Sequence, residues 1–370
     1  MKFKLLFSFA VSICFIGCSS SDDIVETPTN NNPKNIMFIG GINKYYALDS
    51  GTGQLKWSFS VTNGTFQYST AFYSNNVLYV GCTDKYLYAL DATSGNLIWK
   101  FKTNESIESS VFVSNNTVFF GSDDDNFYAV NATTGELKWK YSTGFNVSSS
   151  PTVSEDIVYF ASDDGNIYAL DQNNGNLKWK YYAGDIFNSS SASIVQNNLY
   201  IGNRNGNIYN INKLTGELIW EKQLGSSIEN SSPTILDGYL YTTDKNSLYK
   251  IDALTGNIVW QSYSTSYSSS PYVNENYVFV NSSSGNIIVI DKQNGNIKWQ
   301  KTIYSNSAEA VATNATVFIG GGGSNYIYAL SENDGTERWK YPINSTTTSA
   351  PVIINKDGNL VYPSKSGGRN

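Results

Sequence analysis

The sequence predicts an all-β chain folded as an eight-bladed propeller of four-stranded antiparallel blades, and three observations predict it. Its eight tryptophans, Trp57, Trp99, Trp139, Trp179, Trp220, Trp260, Trp299 and Trp339, stand 42, 40, 40, 41, 40, 39 and 40 residues apart. A glycine stands four positions before each, from Gly53 to Gly335, and an Asp or Asn stands eight positions before all but the last, where Ser331 takes its place. The intervening residues show no helical period after residue 35; they read as short apolar runs cut by turn residues.

Residues 148–182 show one unit. Ser-Pro-Thr-Val-Ser is a first short strand, Ile157 to Ala161 a second, Ile167 to Leu170 a third, and Leu177 to Tyr182, carrying Trp179, the fourth. Glu155-Asp156, Asp163-Asp164-Gly165-Asn166 and Asn173-Asn174-Gly175-Asn176 are the turns between them. The second strand is apolar without alternation, as in a sheet covered on both faces. A forty-residue sheet of this kind cannot bury both faces alone, so the units must stack around an axis. Asp171 and its equivalents suit the start of the third turn, where the carboxylate accepts a backbone N–H two residues on. The glycine releases the chain from that turn, and the tryptophan is the flat ring that fastens one blade to the next.

The ends predict closure. Ile36-Met37-Phe38-Ile39-Gly40 is a second-strand sequence with no first strand before it, and Ser349 to Ile354 is a first strand with no blade of its own. N- and C-terminal strands therefore share one blade, and the ring is left without an open edge. Gly358 to Pro363 is a surplus strand without a predicted place.

Residues 1–17 read as a signal peptide: Lys2 and Lys4 precede an apolar run from Leu5 to Ile16, too short for a bilayer core of about 30 Å. Phe15-Ile16-Gly17-Cys18 resembles a bacterial lipobox, with Phe15 in place of the usual Leu, which implies that Cys18 is acylated and anchors the chain to a membrane. Residues 18–35 form the lipidated cysteine and a polar tether, and 36–370 a single propeller domain. Ser21-Asp22-Asp23 resembles a tag of surface-exposed lipoproteins in some Gram-negative groups, which implies an outer-membrane position facing outward rather than into the periplasm.

Composition removes several function classes. The formal charge is 25 − 31 = −6, or −8 without Lys2 and Lys4, which argues against a nucleic-acid partner. No histidine is present, which excludes a Ser-His-Asp triad, a His-ligated metal and a haem attachment motif. With Cys14 in the signal and Cys18 acylated, Cys82 is left alone, so no internal disulfide forms; within a predicted strand (VLYVGC) it reads as a small buried hydrophobe.

The frame Ala-x-Asp-x-x-x-Gly-x-x-x-Trp, seen in YALDSGTGQLKW (46–57), YALDATSGNLIW (88–99) and YALDQNNGNLKW (168–179), resembles the tryptophan-docking repeat of the pyrroloquinoline quinone (PQQ) propeller superfamily. The resemblance spans residues 36–363, with departures at the Ala position in Asn210, Lys250 and Val289. One branch of that superfamily holds dehydrogenases that bind PQQ and calcium and carry an adjacent cysteine pair, absent from this sequence. The other resembles this chain more: a non-catalytic lipoprotein, the scaffold subunit of the outer-membrane β-barrel assembly machinery. The resemblance implies a monomeric, cofactor-free protein that binds an envelope protein partner; a quinone-dependent dehydrogenase is the remote alternative.

The segments joining one blade to the next mix Ser and Asn with single rings: Phe66, Tyr68, Phe145, Phe187 and Tyr267. Such rings beside small polar groups suit a platform for a glycan, another surface polymer or a peptide, or else each plugs its own blade. Glu108, Glu229 and Glu309 fall in or near the same segments, and Asp123-Asp124-Asp125 and Asp163-Asp164 read as solvated turns.

Overall fold

The computed structural model describes residues 33–228, 231–263, 267–305, 308–343 and 346–363, and within them the chain is all strand and turn. Residues 1–32, with the signal, Cys14, Cys18 and most of the tether, and Glu229 lie outside the described residues. Eight antiparallel sheets follow one another along the sequence, seven of four strands and one of five. Blade four is typical: Thr152–Ser154, Ile157–Ala161, Asn166–Asp171 and Leu177–Tyr182, paired in that order from the axis outward.

The five-stranded sheet closes the ring. Ile36–Gly40 pairs on one side with Ile42–Asp49 and on the other with Val352–Ile354, in the register Ile36↔Ile354, Met37↔Ile353 and Phe38↔Val352. The surplus strand is now placed: Leu360–Val361 pairs with Ile353 and Ile354 on the axial side of the innermost strand.

The core is divided among the blade interfaces. Buried apolar residues form eight clusters among the described residues, and each draws on two neighbouring blades. Tyr79 and Leu87 of blade two meet Val118 and Phe120 of blade three, and Met37 and Ile39 of blade one meet Phe318 and Ile327 of blade eight. The unalternating second strands follow from this, since both faces of every sheet lie against a neighbour.

The tryptophan, glycine and Asx positions act as one joint. Every Trp donates its indole N–H to a backbone carbonyl of the following blade at 2.8–3.2 Å, from Trp57 to Ala92 through to Trp339 to Ser50. The glycine of that following blade lies over the ring with φ between +72° and +77°. A Cβ there would meet ring atoms at 2.5–3.1 Å, so glycine is required both by its left-handed backbone and by the ring. Asp49 Oδ1 accepts the Gly51 and Thr52 amides at 3.0 Å, and Asp171 Oδ1 accepts the Asn173 amide at 3.0 Å.

Candidate functional site

Antiparallel order places the second-to-third turns and the inter-blade segments at one end of the ring, and the remaining two turns of every blade at the other. The first end collects the candidate residues. Phe66, Phe187 and Tyr267 are buried there, their rings enclosed by their own and neighbouring blades, and offer no face to a ligand. Tyr68 and Phe145 are exposed, at 52% and 56%.

The serines of these segments form a belt. The Thr70 amide donates to Ser110 Oγ, the Ser110 amide to Ser150 Oγ, the Ser150 amide to Ser191 Oγ, the Ser191 amide to Ser232 Oγ, and the Ser232 amide to Ser270 Oγ, all at 2.9–3.1 Å. All five of these serines are buried. From blade two to blade seven they tie each innermost segment to the next, satisfying amides on a strand edge that has no further strand to pair with. In blade eight the buried Glu309 occupies this place, and in blade one Ala350 does. The sequence reading set these serines beside candidate ligand rings; their recurrence at the forty-residue period was the signal that they belong to the frame.

Two acidic turns expected in water are instead structured. Asp124 Oδ2 accepts the Tyr128 hydroxyl at 2.7 Å and the Asn104 amide at 3.0 Å; Asp164 Oδ2 accepts the Tyr168 hydroxyl at 2.6 Å and the Gly144 amide at 2.9 Å. Burial opposes the charge on Asp164, but the bonds from Tyr168, Gly144 and Asn166 hold its carboxyl below the usual range. Asp123 has no such support. Burial, then the charges of Glu108, Asp163, Asp124 and Glu105, push it up to about 7. Burial also raises Glu108 and Asp163. Three carboxyls from separate segments thus share one acidic mouth. No group of three or more Asp, Glu, Cys or His among the described residues is arranged to hold a metal ion.

At the opposite end the chain enters its own axis. After the turn at 355–359, Leu360–Val361 runs back along the innermost strand, and the Tyr362 hydroxyl donates to the Tyr73 carbonyl at 3.0 Å and accepts the Tyr73 amide at 3.2 Å. The Tyr362 ring lies 5.5 Å from Phe72, itself 5.2 Å from Phe112, so aromatic side chains from blades one, two and three meet there. Cys82 follows the second strand of blade two, one residue beyond its end at Gly81; it is fully buried, and burial pushes its thiol up.

The sequence matches the family described as outer membrane protein assembly factor BamB over residues 43–191 and 183–322. No curated protein matches it. Among solved structures, BamB from Moraxella catarrhalis is 18% identical with a TM-score of 0.69, covering 81% of this chain and 98% of that one. The computationally designed Ika8 protein is 15% identical with a TM-score of 0.68, over 80% of this chain and 95% of that one. A europium-containing methanol dehydrogenase is 14% identical with a TM-score of 0.68, over 83% and 84%. At these identities the structural matches establish a shared fold.

Proposed function

The chain belongs to the family of outer membrane protein assembly factor BamB, and from that premise we propose that it is a non-enzymatic, lipid-anchored propeller that binds another envelope protein as a scaffold. The family match carries this reading, because it runs through most of the repeats rather than one blade. The lipobox-like Phe15-Ile16-Gly17-Cys18 supports anchoring at an outer membrane. Purification of the tagged, lipidated protein from detergent extracts tests the scaffold role. A stoichiometric envelope partner is expected, and its absence refutes the reading.

A second reading has one observation of its own. Tyr68 and Phe145 expose their rings at the acidic end, which suits a surface-exposed protein binding a glycan or other polymer. Protease shaving of intact cells decides it: cleavage is expected if the propeller faces outward, and full protection removes the surface reading.

A further inference from the structure

The outermost strand of every blade is a sheet edge, and an edge strand invites pairing unless charge or distortion blocks it. All eight outer strands share one register skip just before the tryptophan, but the four residues from the tryptophan onward pair in regular register, so the distortion alone does not block this edge. They do not share the charge. Seven carry at least one Lys or Arg, from Lys56 in blade one to Arg338 in blade eight. The outer strand of blade six, Ile258–Tyr263, reads Ile-Val-Trp-Gln-Ser-Tyr and carries none.

The same place is apolar in a second, independent way. The third turn has a small or polar residue at its tip in six blades, but Leu214 in blade five and Leu254 in blade six. Leu254 is 78% exposed. Its turn is seated on blade five: Trp220 donates to the Ala253 carbonyl at 3.2 Å and Gly256 lies over the Trp220 ring. Leu218 and Ile219 in the outer strand of blade five, just before Trp220, and Ile258 and Val259 in that of blade six are exposed as well. No described strand pairs with the outer side of Ile258–Tyr263.

We propose that the outer edge of blade six is a strand-addition site for an uncharged, extended segment of a partner protein with apolar side chains at alternate positions. Its backbone pairs with Ile258–Tyr263 and its side chains cover Leu254, Val259 and the flank of blade five. This rests on the scaffold reading above and names the partner's chemistry. A strand fits this surface better than a lipid bilayer does, because an anionic membrane recruits a surface through basic residues, whereas this strand has none and the chain carries a net charge of −6.

The test uses the full chain, a capped synthetic peptide of alternating Val and Thr, and the same peptide with a central proline. The first peptide is expected to bind and the second to fail, since proline removes a pairing N–H. Val259→Lys restores the charge found in other blades at an exposed position, so the fold is retained; it is expected to weaken the peptide by about tenfold or more. Leu254→Ser weakens it less. Equal binding of both peptides, or an unchanged Val259→Lys, overturns the proposal. So does binding to anionic vesicles without peptide binding, or a self-paired dimer that Val259→Lys converts to monomer. If wild type and Val259→Lys capture the same stoichiometric partner equally, the edge assignment fails and the scaffold reading stands. If neither captures a partner, the scaffold reading fails, and the peptide result reports on the edge by itself.

Discussion

Trp339 donates its indole N–H to the carbonyl oxygen of Ser50 at 3.1 Å, joining residues 289 positions apart with the contact that elsewhere joins residues 32–35 apart. Gly53 lies over the same indole, where a Cβ would fall 2.6 Å from the ring. The ring is closed by the joint that builds it, reinforced by backbone pairing between Ile36–Gly40 and Val352–Ile354.

Replacing Gly53 with Val strains a left-handed backbone and displaces the Trp339 ring. A loss of about 1–3 kcal/mol is expected, read as a lower urea midpoint together with earlier proteolysis of the closing blade. An unchanged midpoint would show that the joint tolerates a side chain.

Ser150→Ala leaves the buried Ser110 amide without its acceptor. The expected cost is about 1–3 kcal/mol, whereas substitution of the exposed Thr134 to Ala stays within about 0.5 kcal/mol. Equal effects would mean that the belt contributes nothing.

Asn210 is fully buried, and neither its side-chain oxygen nor its nitrogen has a hydrogen-bond partner among the described residues. Five other blades place Ala here, at 47, 89, 129, 169 and 329. Asn210→Ala is therefore expected to raise the urea midpoint, by about 1 kcal/mol or more in stability; a destabilised variant refutes this account.

Asp123 titrates near 7 in the folded chain against an ordinary value of 3.8. Between those values the folded state holds a proton that the unfolded state has released. Stability from this group is thus complete below about pH 4 and is lost as pH rises through about 7. Glu108 and Asp163 act in the same direction, and Asp164 in the opposite one. Asp123→Asn is expected to flatten the fall in thermal midpoint between pH 5 and 8. A variant with the wild-type slope would assign the fall to other groups.

Much of the architecture is decided by local rules repeated eight times, and it is legible in the sequence for that reason. Apolar second strands, Asx turns, glycines with positive φ and tryptophans four residues later each have a physical meaning within forty residues of chain. The incomplete units at Ile36 and Ile354 determine closure by the same logic, since each lacks what the other supplies. Other features depend on which residue of a neighbouring blade arrives at the same point, and only the tertiary structure decides them. Five serines beside candidate ligand rings became buried hydrogen-bond partners of the next blade. Phe66 and Phe187 lost their faces to packing while Tyr68 and Phe145 kept theirs. Asp123 and Asp163, forty residues apart in the chain, came close enough to raise a proton affinity, and Tyr362 found Tyr73 on the neighbouring blade. Periodicity along one strand dictates which way a side chain points, but burial and charge depend on what the curvature of the closed ring brings to meet it.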